Sequence, residues 1–200
     1  GANELPMPGV DAPRIYTPDD LAAGIVPEGP VAVFDFDNYY LGSAVAEHIA
    51  AGGAQVTYIT TGGAAGAWSF MTNEQPGIHA ALDRAGIALR TSEIVTGFDG
   101  DTLQLAHVFS GTATTIQIRS LVIVGQREGG SALYQKLADK PNDFDLHLTG
   151  DALAPGAIAH AVYQAHRTAR EVGVAKADII IRRDAPFAMR DLDTAARAAE

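Results

Sequence analysis

The residues with the clearest chemical potential lie in the turn DFDNYYLG, residues 35–42, between an apolar stretch and a helical pattern. The apolar stretch is VAVF at 31–34, the amphipathic pattern covers Leu41–Ala51, and a second apolar stretch follows at 56–60. This β-α-β order opens a dinucleotide-binding domain, where a G-x-G-x-x-G turn brings pyrophosphate to the N terminus of the helix. Aligned with that motif, the three glycine positions hold Asp37, Tyr39 and Gly42.

These replacements argue against a bound dinucleotide. Asp37 brings a carboxylate to the phosphate position and is able to accept hydrogen bonds from the N–H groups of the helix N terminus, while Tyr39 adds bulk. Only Gly42 keeps the third glycine, which allows close packing of helix and strand. The strand at 56–60 also ends without the Asp or Glu that binds a ribose hydroxyl. We therefore expect a scaffold without NAD, with Asp35 and Asp37 as a solvated pair rather than an acid–base pair.

A second candidate site is GDALAPG at 150–156, ahead of a helical pattern. A carboxylate binds hydroxyl groups, and the N–H groups of a helix N terminus bind anionic oxygen. This combination suits contact with the phosphate and hydroxyl oxygens of a nucleotide. The alternative is that Asp151 simply caps the helix. The candidate nucleotide-binding residues are Gly150, Asp151, Ala154, Pro155 and Gly156.

We expect no catalytic residue and no metal site in this chain. The six histidines lack the spacing of a metal-binding pair: no H-x-x-x-H motif occurs, and the six-residue separation of His160 and His166 does not place them on one helical face. No serine lies in a G-x-S-x-G context. A group of aromatic side chains is better explained by a domain interface than by ligand stacking; it consists of Tyr39, Tyr40, Trp68 and Phe70.

Composition excludes several function classes. The absence of cysteine removes disulfides, thiol catalysis and cysteine-ligated zinc or iron–sulfur sites from this chain. The formal net charge of -10 argues against a nucleic-acid partner. No stretch is apolar over a membrane-spanning length and no basic-then-apolar leader is visible, so we expect no membrane partner and a cytoplasmic location.

The order of the predicted elements indicates an α/β fold, a three-layer Rossmann-like domain of the FAD/NAD(P)-binding type with an antiparallel β-meander insertion. We divide the chain into an irregular lead-in at 1–29, an NAD-binding-like domain at 30–142, a returning strand and helix at 143–172, and a tail at 173–200. In the third segment we predict a strand at 145–149 and a helix from Pro155 to Val172. A final strand is predicted at 178–181.

Three segments carry a specific resemblance to a known family: DFDNYYLGSAVAEHIAAGGAQVTYIT, WSFMTNEQPGIHAALDRAGIAL and LTGDALAPGAIAHAVYQAHRTARE. They resemble the C-terminal region of trimethylamine, dimethylamine and histamine dehydrogenases, which belong to a group with the 2,4-dienoyl-CoA reductases. The resemblance covers roughly residues 1–172. It implies that 30–142 correspond to the NAD-like domain and the following segment to the end of an FAD-like domain that binds ADP in the amine dehydrogenases.

The resemblance also implies a longer enzyme whose other parts perform the chemistry. A TIM barrel would hold FMN, a cysteine-ligated 4Fe-4S cluster would follow, and electrons from oxidation of a small amine would pass to an electron-transfer flavoprotein. This chain would be structural, with contact to ADP. Two alternatives stay open: an NAD(P)H-binding domain or subunit of a reductase, and a free-standing subunit that docks onto a separate flavin subunit. The docking alternative predicts an exposed apolar surface around 145–149 and the helix that follows.

Overall fold

A computed structural model describes residues 13–125, 127, 129–140 and 144–174. The chain divides after Arg127 into two compact units. The strand predicted at 178–181 and nearly all of the predicted tail lie outside the described residues, as do the first twelve residues of the lead-in. Within the described ranges, no helix is both long and apolar enough to cross a membrane.

The first unit contains a parallel sheet and an antiparallel meander. The parallel sheet has five strands in the order β1-β8-β2-β3-β4, and the meander has the order β5-β6-β7. The strands are Ile15–Tyr16 (β1), Val31–Asp35 (β2), Val56–Thr60 (β3), Ala88–Arg90 (β4), Glu93–Phe98 (β5), Thr102–His107 (β6), Ala113–Gln117 (β7) and Ser120–Val124 (β8). The short edge strand β1 was not predicted, because a two-residue strand has no recognisable periodicity.

Helices cover one face of the parallel sheet and the meander covers the other. The helices of this unit are Pro18–Ala22 (α1), Leu41–Ala51 (α2) and Gln75–Arg84 (α3). Alternate residues of β2 enter the two cores: Val31 and Val33 are in the core shared with α2 and α3, whereas Ala32 and Phe34 are in the core shared with the meander. The three layers are therefore helix, parallel sheet and antiparallel sheet, which confirms the predicted fold class.

Local sequence explains most boundaries in this unit. Strand β2 is buried over its whole length, as expected for an apolar strand with a covering layer on each face. Helix α2 begins and ends at the predicted residues, and Gly53 follows it with φ of 89°. Helix α1 begins after Thr17, whose side chain and that of Asp20 form a capping box.

The regular elements in the described part of the second unit are all helical. It contains Ala132–Ala138 (α4), a 3-10 turn at Gly150–Ala152 and Ile158–Glu171 (α5). The strand predicted at 145–149 is wrong, since these residues form no strand and the described part of this unit offers no neighbouring strand with which they could pair. Helix α5 begins at Ile158 rather than at Pro155, because Ala157 keeps an extended backbone with ψ of 156°.

Candidate functional site

The turn that replaces the glycine-rich loop is built around a buried carboxylate. Asp35 is the last residue of β2 and has no exposed surface. Its carboxylate accepts hydrogen bonds from the Tyr58 hydroxyl on β3 and, at 3.0 Å, from the backbone N–H of Asn38. Gly42, in the first turn of α2, lies directly against it, because a Cβ atom placed on Gly42 would be 2.5 Å from Asp35 Cγ. Packing at Gly42 therefore joins the start of α2 to the end of β2 through this carboxylate.

Asn38 connects the turn to the end of the next strand. It has a left-handed backbone with φ of 59°, which asparagine tolerates better than most residues. Its side-chain oxygen accepts a 2.7 Å hydrogen bond from Thr60 Oγ1, and its side-chain nitrogen donates to the Phe36 carbonyl at 3.1 Å. Its own carbonyl accepts from the backbone N–H of Trp68 at 2.9 Å. Asn38 thus connects its own turn to the end of β3 and to the loop that contains Trp68.

The electrostatics of the turn differ from the solvated pair that we expected. Burial raises the pKa of Asp35 to about 6, and the hydrogen bonds from Tyr58 and Asn38 oppose that rise. Burial likewise raises the pKa of Tyr58, and the adjacent Asp35 adds to the effect. Burial raises the pKa of Asp37 as well, against the opposing charge of Arg127. The solvated-pair prediction is wrong for Asp35, because the final strand residue faces α2 and β3 instead of water.

The polar groups at this turn are occupied by the protein itself. The backbone N–H groups of Phe36 and Asp37 donate to the Val124 carbonyl at 2.8 and 3.2 Å. Thr60, at the position expected for a ribose-binding acid, is fully buried; besides its bond to Asn38, its hydroxyl accepts from the Gly62 N–H at 3.1 Å. Asp37 does not cap α2, because the helix begins only at Leu41, with Tyr40 as its N-cap and no side-chain cap. The first turn of α2 still offers N–H groups, but the side chains in the turn do not fit a dinucleotide, whose pyrophosphate needs space and a close approach to the backbone at this point.

Substitution of Asn38 tests this account of the turn. We expect Asn38→Ala to lower the free energy of unfolding by about 2 kcal/mol, through left-handed strain and the loss of the acceptor for Thr60. Asn38→Gly removes the same side chain without strain, so it should lose only about 1 kcal/mol. Chemical denaturation measures both values. Equal losses in the two variants would contradict the assignment of strain to this position.

The second candidate segment is exposed. Gly150 has φ of 62° and opens the 3-10 turn, and its carbonyl accepts from the N–H groups of Leu153 and Ala154 at 2.9 and 3.0 Å. Asp151 is exposed and does not cap α5, whose N-cap is Ala157 with no side-chain cap. The alternative of Asp151 as a simple helix cap is therefore wrong. The first turn of α5 keeps N–H groups that no cap occupies, a donor set that suits an anionic oxygen.

The remaining candidates show no second chemical site in the described part of the chain. Among these residues, no group of His, Asp and Glu could hold a metal ion. Tyr39 and Tyr40 form an edge-to-face pair with ring centroids 5.1 Å apart, and Tyr40, Trp68 and Phe70 are exposed. Tyr39 is only partly buried and its bulk lies within the turn.

Sequence reasoning missed two residues of the site, Asn38 and Tyr58. A signal for Tyr58 was present, since a tyrosine within a buried strand needs a partner for its hydroxyl. A signal for Asn38 was its place directly after a strand in a tight turn, where a left-handed residue is common. Neither signal identifies the partner, because each partner lies on a different strand.

Comparison with known proteins gives a consistent group of relatives. No protein-family model matches the chain. It is 24% identical over 194 residues to dimethylamine dehydrogenase of Hyphomicrobium sp. (strain x), covering 84% of this chain and 26% of the relative. The structure of histamine dehydrogenase from Rhizobium sp. 4-9 matches with a TM-score of 0.80 and 32% identity, over 85% of this chain and 28% of that one.

A second solved structure is equally similar in fold. The 6-hydroxypseudooxynicotine amine oxidase of Pseudomonas geniculata N1 matches with a TM-score of 0.81 and 29% identity, covering 86% of this chain and 27% of that chain. The flavoprotein disulfide reductase RclA of Escherichia coli shares only the fold, with a TM-score of 0.58 and 14% identity. The chain spans about a quarter of the length of the amine-oxidising relatives that it matches.

Proposed function

We propose, from the premise that this chain is homologous to part of the dimethylamine and histamine dehydrogenases, that it forms the C-terminal, nucleotide-binding-like portion of a flavin-dependent amine dehydrogenase. The observation that carries the proposal is the pattern of coverage. The match extends over most of this chain at a TM-score of 0.80, yet over only 28% of histamine dehydrogenase. The reaction of the whole enzyme would be oxidation of a small amine.

The role of this portion is structural. The turn after β2 is filled by Asp35 and Asn38, and the Asn38 backbone N–H, which lies where a pyrophosphate would bind, donates to Asp35 instead. A nicotinamide-dependent reductase requires this turn to receive its cofactor, so the geometry favours the amine dehydrogenases over the reductase alternative. The domain assignments, with 30–142 as NAD-like and 143–172 as the end of an FAD-like domain, belong to the same proposal.

Titration with NADH tests the reductase alternative. We expect no saturable binding up to about 1 mM NADH, when quenching of the Trp68 fluorescence is measured in the 200-residue chain. Trp68 is the single tryptophan, and its backbone N–H donates to Asn38 in the turn, so it would report a cofactor bound there. A nicotinamide-dependent flavoprotein reductase serves as the positive control. A dissociation constant in the micromolar range would favour the reductase alternative instead.

The cofactors of the proposed enzyme would lie mostly outside this chain. FMN would perform the amine oxidation, and a 4Fe-4S cluster would carry electrons towards an electron-transfer flavoprotein. Since this chain contains no cysteine, the thiolate ligands of such a cluster would come from another part of the enzyme. Contact with ADP would fall to the segment before α5: Gly150, Asp151, Ala154, Pro155 and Gly156.

The second unit supports a role next to another protein part. Helix α5 carries exposed apolar side chains, including Ile158, which is 83% exposed, and Val162; Phe144 and Leu153 before the helix are also exposed. None of the residues of α4, the 3-10 turn or α5 is buried. The described residues of this unit therefore form no core of their own, and their exposed apolar side chains suit contact with another surface. This exposed apolar surface was predicted for the docking alternative, so the partner is either the same polypeptide or a separate flavin subunit.

Oxidation of amines by the native protein tests the proposal. The polypeptide that contains this sequence, isolated from its source cells, should be yellow and reduce an artificial electron acceptor when dimethylamine or histamine is added. The isolated 200-residue chain is the matched control and should show no amine-dependent reduction. Absence of flavin from the native protein and from anything that co-purifies with it would contradict the proposal.

A further inference from the structure

The loop after β3 presents an apolar surface next to residues 35–42, the turn that replaces the glycine-rich loop and that we call the altered turn. Within the 3-10 helix Ala67–Phe70 and its end, Trp68 is 62% exposed, Phe70 is 70% exposed and Met71 is 78% exposed. Tyr40, in the altered turn, is exposed as well. We call these four residues the Trp68 surface. Soluble proteins seldom leave several large apolar side chains together in water unless they contact another molecule.

Hydrogen bonds hold the backbone that carries the Trp68 surface. The Asn38 carbonyl accepts from the Trp68 N–H at 2.9 Å, which ties the 3-10 helix to the altered turn. The N–H of Glu74 donates to the Ser69 carbonyl at 3.1 Å, and Thr72 Oγ1 donates to the same carbonyl at 3.1 Å. Ser69 itself is buried. A surface fixed in this way loses little entropy on binding, as expected for interface anchors rich in Trp, Tyr and Met.

We infer that the altered turn now supports a docking surface, made by Tyr40, Trp68, Phe70 and Met71, which binds the flavin-containing portion of the enzyme. The inference rests on the proposed function and specifies where that portion binds the first unit. The hydrogen bonds that carry it are those of Asn38, whose side chain contacts Thr60 and whose carbonyl accepts from Trp68. The turn would thus have exchanged contact with a nucleotide for support of a protein interface.

Two observations favour this occupant over a second copy of the chain. The relatives are several times longer than the segment that matches, so most of such an enzyme lies outside this chain and is available to cover the surface. A second copy would bring together two chains that each carry a formal charge of -10. Like charges oppose such an association.

Hydroxyl-radical footprinting of the native enzyme tests the inference. The radical modifies exposed Trp, Phe and Met side chains, and mass spectrometry measures the rate for each peptide. We expect modification of Trp68, Phe70 and Met71 to be at least about tenfold slower in the native flavin-containing enzyme than in the 200-residue chain. Phe109, which is 85% exposed on the hairpin between β6 and β7, is the matched control and should slow far less.

The outcomes separate the inference from the proposed function. Equal rates for the Trp68 surface in a long, flavin-containing native enzyme would overturn the docking surface and leave the proposed function intact. Equal protection of Phe109 would contradict the assignment of the interface to this surface. Protection that appears in the 200-residue chain as its concentration rises would identify a second copy as the occupant and would also overturn the inference. Absence of flavin, by contrast, would refute the proposed function itself.

A substitution provides a second readout. In the native enzyme, Trp68→Ala should weaken the association of this portion with the remainder. We expect the bound flavin to be released at a lower temperature on heating, whereas Phe109→Ala should leave that temperature unchanged within error. In the 200-residue chain both variants should unfold at nearly the same denaturant concentration as the parent, because both side chains are exposed there. Equal effects of the two substitutions in the native enzyme would overturn the inference.

Discussion

Replacing Gly42 with alanine is expected to lower the free energy of unfolding by about 3 kcal/mol, because the added methyl group would overpack a buried site. The new Cβ would lie 2.5 Å from Asp35 Cγ, 2.7 Å from Asp35 Cβ and 2.8 Å from Asp35 Oδ2. Asp35 cannot move away easily, since Tyr58 and Asn38 both hold its carboxylate. The collision should exceed the gain that alanine brings to a helix, which is at most about 1 kcal/mol.

Gly77 supplies the matched control for this substitution. It lies in the first turn of α3, and a Cβ atom there would meet nothing within 4 Å. Gly77→Ala should therefore raise the free energy of unfolding by about 0.5 kcal/mol through helix propensity alone. Urea denaturation followed by circular dichroism measures both variants. A Gly42→Ala variant as stable as the parent would show that the start of α2 does not pack on Asp35 as described.

Replacing Asp35 with asparagine is expected to remove a pH dependence of stability. The pKa of Asp35 is about 6 in the folded chain and near 3.8 when it is not perturbed, so the folded state binds the proton more tightly than the unfolded state. The stabilisation from protonation is therefore complete below pH 3.8 and is lost as the pH rises through 6. A difference of about two pKa units corresponds to about 3 kcal/mol.

The measurement is the free energy of unfolding of parent and variant between pH 4 and pH 7.5. The parent should lose about 2 kcal/mol more than Asp35→Asn over this interval, since the proton-linked stabilisation is not yet complete at pH 4. Asp83→Asn, at an exposed position in α3, is the control and should retain the pH dependence of the parent. If Asp35→Asn lost as much stability as the parent with rising pH, the buried carboxylate would not be the group responsible.

The sequence predicts the first unit well because its signals are local. Strand β3 and helix α2 have the bounds that were predicted, since β-branched and aromatic residues mark β3 and the pair Gly52-Gly53 marks the end of α2. The burial of Asp35 could not be read in the same way. It depends on Tyr58 and Gly42, which reach Asp35 only once β3 pairs with β2 and α2 packs on the sheet.

In the second unit, the strand predicted from the sequence at 145–149 is wrong. The apolar alternation at 145–149 is the same whether or not a neighbouring strand is present, but hydrogen bonds to a neighbour are what make a strand. With no strand described in this unit, those residues stay irregular. The exposed apolar side chains of α5 have the same explanation, since amphipathic periodicity predicts a buried face without identifying the surface that buries it.

The measurement that tests the central claim most directly is the size of the native polypeptide in its source cells, by denaturing blot with an antibody to this chain. A C-terminal portion of an amine dehydrogenase predicts a band several times larger than the 20.9 kDa of this sequence, because the relatives are several times longer than the part that matches. A band at the size of the chain itself would contradict this claim and would favour a free-standing subunit that docks onto a separate flavin subunit.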